Sequence, residues 1–170
     1  MTAFDLLPYR PCAGIALFNR AGKVFVGRRL DGPEEAEGTG RWWQMPQGGI
    51  DDGEDLEAAA RRELFEETNA RSVSLLGLHP DWLLYDLPPE LLGKAWGGKF
   101  RGQRIRYVAF RFEGEDSEID VRNPGGGHKP EFVEWRWEDL SALPDLIVPF
   151  KRDVYRSVAT EFAPFAAQDR

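Results

Sequence analysis

The sequence predicts an α+β domain built as a layered αβα sandwich. Three observations point there. Strand patterns and two helical patterns alternate in mixed order along the chain. The length, 170 residues, suits one domain with a sizeable core. Hydrophobic residues make up 42%, and 11 Phe, 6 Trp and 4 Tyr supply large groups to bury, which excludes a disordered chain.

The elements follow in order. Residues 12–18 are apolar and end at the turn Asn19-Arg-Ala-Gly22, so 23–29 reads as a hairpin partner. Residues 32–40, rich in Gly and Glu, read as an exposed loop. A helix covers about 56–68. Residues 73–78 form a short apolar strand, and 105–112 a longer one rich in aromatic and β-branched residues. A second loop, 123–130, carries Gly125, Gly126 and Gly127 in a row, and a further strand spans 131–137. The last helix starts near Pro149, a favourable first helical position, and runs to about Phe162, with Phe150, Val154 and Val158 four apart.

Composition excludes several classes. Lys and Arg number 22 and Asp and Glu 29, a net charge of −7. Proteins that hold duplex DNA non-specifically are basic, so DNA is not an expected partner. Local Arg and Lys clusters still suit a nucleotide or an RNA end. No apolar run reaches the roughly 18–20 residues needed to cross a bilayer. The single cysteine, Cys12, allows no intrachain disulfide, and its apolar strand makes it a small packing group. The start of the chain lacks the pattern of a secretory signal, and a cytoplasmic protein is the expectation. Neither His79 nor His128 has a spacing that suggests catalysis, and covalent catalysis is not expected.

The helix at 56–68 carries the chemistry. At about 100° per residue, with Glu63 at zero, Leu56 falls near about 20°, Ala60 about 60°, Leu64 about 100° and Ala59 about −40°. Glu67, at about 40°, lies inside this apolar arc with Glu63, and Glu66, at about −60°, lies at its edge. A solvated helix with an Arg62–Glu66 ion pair is the plain alternative. Yet Glu63 and Glu67 are a like-charge i,i+4 pair, and turning them towards a packed surface needs something to neutralise them. Three carboxylates on one face supply the hard oxygens that Mg²⁺ and Mn²⁺ take. Upstream, Gly48 and Gly49 in Trp43-Gln-Met-Pro-Gln-Gly-Gly-Ile50 let backbone approach a ligand closely; an ordinary turn is the alternative.

Gly48, five residues, Glu54, seven residues, then Arg62-Glu63-Leu64-Phe65-Glu66-Glu67 resembles the Nudix box, the signature of hydrolases acting on a nucleoside diphosphate linked to another group. Seven specified positions at fixed spacing arise by chance about once in 10⁶ chains of average composition. The box normally continues with Gly and a large aliphatic residue, where this chain has Asn69 and Ala70. Asn tolerates the left-handed backbone that a glycine serves at a helix end.

The resemblance extends from about residue 9 to 162 within a single domain, 1–170. Tyr9-Arg-Pro11, Arg28-Arg29, Trp82 to Tyr85, Gly102-Gln103, Pro130-Glu-Phe132 and Phe150-Lys-Arg-Asp-Val-Tyr155 are similar to bacterial RNA 5′-pyrophosphohydrolases and the related plant-type dinucleoside tetraphosphate hydrolases. The resemblance implies a Nudix-type sandwich of mixed sheets between helices. It implies Mg²⁺, replaceable by Mn²⁺, held by Glu63, Glu66, Glu67 and Glu131. Glu63 is implied to orient or deprotonate the attacking water, with Glu67 beside it. Arg62 is implied to position carboxylates, and Glu54 to brace the loop or bind a further ion. Arg10, Arg29, Gln103 and Lys151 fall where similar enzymes contact phosphate or sugar, and Tyr85, Val148 and Phe150 where they hold a base. From pattern alone each Arg or Lys also reads as a surface charge, and Tyr85 and Phe150 as core. Alternation puts Glu131 on a face with Val133, Trp135 and Trp137, as a strand end reaching water or as a metal ligand; the resemblance implies the ligand. Glu118 reads as a surface residue. The expected substrate is the 5′-triphosphate end of RNA, losing pyrophosphate; the alternative is diadenosine tetraphosphate, split into ATP and AMP.

Overall fold

The computed structural model describes residues 3–29 and 42–167. The loop expected at 32–40 lies outside the described residues. Two long strands form the centre, β1 (Tyr9–Phe18) and a parallel neighbour, Gly102–Phe112, which is the seventh strand, β7. Strand side chains alternate between faces. In β1, Ala13, Ile15 and Leu17 enter one core, and Cys12, Ala16 and Phe18 the other. In β7, Val108, Phe110 and Phe112 join the first, and Ile105, Tyr107 and Ala109 the second. Burial on both faces is why 11–18 and 107–110 read as unbroken apolar runs.

Six shorter strands complete the sheet: β2 (Val24–Arg28), β3 (Trp43–Gln44), β4 (Gln47–Gly49), β5 (Val73–Leu78), β6 (Leu83–Asp86) and β8 (Glu134–Glu138). The order is β3-β2-β1-β7-β5, with β4 on β1, β6 on β7 and β8 on β2. All pairs but β1–β7 are antiparallel. The expected hairpin of β1 and β2 exists, but its register is one position, Phe18 against Val24. Beyond it β2 diverges to pair with β8, and β4 takes the place beside β1, with Gly48 against Ala13 and Gly49 against Cys12. This divergence brings the paired glycines to the active helix.

Helix α1 (Leu56–Thr68) lies on the first core through Ala59, Ala60 and Leu64. Asp55 caps its start by accepting from the Ala58 N–H at 2.7 Å. Asn69 ends it at φ 68°, ψ 0°, its N–H donating to the Phe65 carbonyl, as the Asn-for-Gly exchange allows. On the other face, α2 (Leu143–Leu146), α3 (Arg152–Glu161) and α4 (Ala163–Ala166) follow one another. The helix expected from 149 is a 3-10 turn, Pro149–Lys151, continued by α3, whose Val154, Tyr155 and Val158 are buried. No described helix is long and apolar enough to cross a membrane.

Two expectations need correction. The last strand begins at Glu134, so Glu131 lies ahead of it and not on its core face. The alternation breaks because Phe132 is the buried residue there, packed on Phe25 and over Gly27, where a Cβ would lie 2.5 Å from its ring. Glu118 is half-buried: its carboxylate accepts from the Arg71 and Ser72 N–H groups at 2.8 and 2.9 Å and from the Ser72 hydroxyl at 2.6 Å. It closes the turn that leads into β5.

Candidate active site

A cavity of about 360 Å³ opens between α1, β4, the start of β1 and the loop 123–130. Glu63, Glu66, Glu67 and Glu131 line it together with Arg10, Arg29, Gln103, Gly48 and Gly49. These expected site residues are therefore brought together from six separate stretches of chain.

Glu67 is the most confined. It is 6% exposed, and its Oε2 accepts from the Gln47 N–H at 3.0 Å. Burial pushes its carboxyl well above the ordinary range; the charges of Glu63 and Glu131 push the same way, against Arg29 and the Gln47 N–H. Glu63 is raised too, by burial first, although Arg62 hydrogen-bonds it. Gly48 makes room for it: a Cβ there would lie 2.0 Å from the Glu63 carboxyl carbon. The close approach that a glycine permits is thus made by a side chain of the same protein. At Gly49 a Cβ would lie 2.7 Å from Nη2 of Arg10.

Arg62 stands behind this row. Its Nε and Nη2 donate to both oxygens of Glu54 at 2.8 and 2.9 Å, and Nη2 also to the Gly49 carbonyl at 2.9 Å. Nη1 donates to Glu63 at 2.8 Å and Glu66 at 3.1 Å. One guanidinium ties the glycine loop to two carboxylates of α1. Arg62 holds the Glu54 carboxyl down to about 2, helped by the Asp51 N–H at 3.0 Å.

Glu131 reaches the cavity from the chain ahead of β8, 3.3 Å from Nη2 of Arg29. Gln103 is buried. Its Oε1 accepts from Nε2 of Gln47 at 3.1 Å and from the Tyr85 hydroxyl, while its Nε2 has no hydrogen-bond partner among the described residues. Tyr85, Val148, Phe150 and Lys151 do not line the cavity. Tyr85 and Val148 are buried in the second core and Phe150 packs against it. The Tyr85 ring lies 5.7 Å from that of Phe150 and 5.4 Å from the Lys151 ammonium. This group adjoins the cavity through Gln103.

Sequence reasoning missed five residues that line the cavity: Gln44 and Gln47, inside the quoted glycine motif, and Trp96, His128 and Lys129. The glycine run was the available signal for His128 and Lys129. Gly125 lies flat on the Phe65 ring, where a Cβ would meet it at 2.4 Å, and Gly126 and Gly127 turn with φ 73° and 71°. The loop so docked on α1 places Nε2 of His128 3.2 Å from Oε1 of Glu66. Trp96 sits at φ 51°, a conformation costing a bulky residue about 1–3 kcal/mol. His79 is structural, paired with the Ser157 hydroxyl at 2.9 Å. Arg106 donates to the His79 carbonyl and Arg104 covers the Trp82 ring.

Among the described residues no three carboxylate, imidazole or thiol groups already converge on one ion-sized point. The donor set nevertheless fits a hard divalent cation. Four carboxylates share the cavity; Glu67 is buried and Glu63 half-buried, and burial raises the carboxyl of each.

Fold and site together define an α+β domain in which glutamates of one helix face arginines across a cavity. The chain belongs to the Nudix family: residues 8–158 match the Nudix domain. That family generally uses divalent cations. A protein of Rhodopseudomonas palustris (strain BisB18) named RNA pyrophosphohydrolase is 58% identical over 166 residues, 98% of this chain and 94% of that one. One from Bradyrhizobium diazoefficiens with the same name is 56% identical over 168 residues, 99% and 100% of the two chains. Among solved structures, the E. coli dihydroneopterin triphosphate pyrophosphohydrolase superposes with a TM-score of 0.61 at 18% identity, over 90% of this chain and 98% of that one, a likeness of fold.

Proposed function

We propose that this Nudix hydrolase removes pyrophosphate from the 5′-triphosphate end of RNA with Mg²⁺, for which Mn²⁺ substitutes. The observation that carries the reading is the cavity itself. It sets acceptors for a cation, the four glutamates, beside donors for phosphate oxygens, Arg10, Arg29 and the unpartnered Nε2 of Gln103. The choice of RNA draws on the names of the relatives more than 55% identical over nearly the whole chain.

In this reading Glu63, Glu66, Glu67 and Glu131 hold the cation, which when bound neutralises phosphate charge and lowers the pKa of the attacking water. Glu63, positioned by Arg62 over Gly48, orients that water or accepts its proton. Arg10 and Arg29 bind non-bridging oxygens, and the flat guanidinium suits them. Gln103 and Lys151 contact phosphate or sugar, and Tyr85, Val148 and Phe150 hold a base, joined to Gln103 through the Tyr85 hydroxyl. The reading treats 1–170 as one catalytic domain in the cytoplasm, without DNA or membrane as partner.

A paired assay tests it. A short 5′-triphosphorylated RNA and diadenosine tetraphosphate are given at equal concentration with Mg²⁺, and Glu67→Gln serves as the contamination control. The expected result is a higher kcat/KM on the RNA, with pyrophosphate released. A preference for the dinucleotide, giving ATP and AMP, would replace RNA as the substrate. No turnover of either would remove both.

A further inference from the structure

Between β6 and β7 the chain turns at residues 93–99, Gly-Lys-Ala-Trp-Gly-Gly-Lys. Four positions here have positive φ: Gly93 at 80°, Trp96 at 51°, Gly97 at 68° and Gly98 at 74°. Glycine adopts this region freely. At Gly98 a Cβ would lie 2.9 Å from the Gly93 carbonyl oxygen, so the turn closes only with glycine there. Trp96 is the bulky exception. Among the described residues the one other non-glycine with positive φ is Asn69, which caps α1.

Neither backbone nor core accounts for a tryptophan at this place. Trp96 is half-buried and belongs to neither core cluster. It lines the cavity, and no phenylalanine, tyrosine or second tryptophan does so among the described residues. The Arg10 guanidinium lies 5.4 Å from the centre of its ring, and Phe100 meets it nearly edge-on at 6.4 Å. Lys94 and Lys99 flank it, both exposed, with no ion pair among the described residues. Tyr85 by contrast is 7% exposed, between Phe150 and Lys151. A costly backbone that holds an aromatic ring in the lining of a cavity suited to phosphate, between two exposed lysines, has the make-up of a single-strand nucleic-acid platform.

We infer that Trp96 is the stacking platform for the first base of an RNA whose 5′ polyphosphate occupies the cavity, with Lys94 and Lys99 meeting the phosphates that follow. The inference rests on the RNA reading above and extends it. It also reconciles a net charge of −7 with an RNA substrate, since the contacts needed are few and local.

The test compares two 5′-triphosphorylated hexanucleotides, one intact and one abasic at its first position. Pyrophosphate release is measured with active protein. Binding is measured separately by fluorescence anisotropy, with Mg²⁺, in the Glu67→Gln background. Trp96→Gly suits the local backbone and removes only the ring. Wild-type contacts should favour the intact oligonucleotide by about tenfold or more. Trp96→Gly should abolish that preference through KM, leaving the abasic substrate unaffected, and Trp96→Phe should retain most of it. Equal losses on both oligonucleotides, no loss, or loss of the preference only in Phe150→Ala would overturn the assignment. If the wild type releases no pyrophosphate, the RNA hydrolase reading falls and the binding measurement still decides. A base-dependent difference lost in Trp96→Gly sustains the platform, and its absence removes it.

Discussion

Arg62 grips Glu54 through two parallel hydrogen bonds, Nε to Oε2 at 2.8 Å and Nη2 to Oε1 at 2.9 Å, across eight residues of sequence. The pair joins the glycine loop to α1, and the remaining Arg62 donors reach Glu63 and Glu66. A planar fork with fixed donor directions does this; the point charge of a lysine does not.

Glu54 therefore contributes to stability with a definite pH dependence. Its folded carboxyl titrates at about 2, below its ordinary 4.5. The contribution is complete above the unfolded value and is lost as pH falls through the folded one. Glu54→Gln should lower stability at pH 7 by about 1–3 kcal/mol. Urea titration should show the gap to wild type narrowing at pH 3.

Glu67 has the opposite sign. Its carboxyl is raised, so the folded state loses stability as pH rises above the ordinary range and the buried charge forms. Glu67→Gln should cut turnover by at least about a hundredfold. It should also raise the melting temperature of chelator-treated protein at neutral pH by about 2–4 °C for each kcal/mol relieved. A scan with EDTA and then with Mg²⁺ should show the advantage shrink when the cation is present.

Gly48→Ala tests the packing of Glu63. Its Cβ would fall on the carboxylate, so Glu63 must move by about an ångström, enough to cost about a hundredfold in rate. The fold should persist, since β4 keeps its register. Activity with circular dichroism distinguishes the two effects.

His128 is expected to steady Glu66. His128→Ala should raise the Mn²⁺ concentration for half-maximal binding by about tenfold, read by paramagnetic resonance of free Mn²⁺, and His128→Gln should recover part of it. A change confined to stability would assign His128 to loop docking alone.

Much of this was legible in the chain. Helix α1 has the expected bounds, 56–68, because Asp55 and Asn69 cap it locally. The conflict between an apolar arc and Glu63 and Glu67 was visible for the same reason: helical geometry fixes which residues share a face. The alternation at 131–137 misled, since one buried aromatic, Phe132, decides where the ladder starts, and the partner it packs on, Phe25, is more than 100 residues away.

By itself, then, the sequence determined the elements with local causes: the helix and its Asn69 end, the body of the two central strands though not their first three residues, and the spacing of the carboxylates. Tertiary structure alone decided what meets across the cavity. Gly48 serves Glu63, Gly125 docks on Phe65 so that His128 reaches Glu66, and Trp96 turns to the cavity while Tyr85 turns to the core. Those relationships depend on where β2 leaves β1 and on how loops pack. Neither is written in any short window, because each contact joins side chains whose separation is set by the whole sheet.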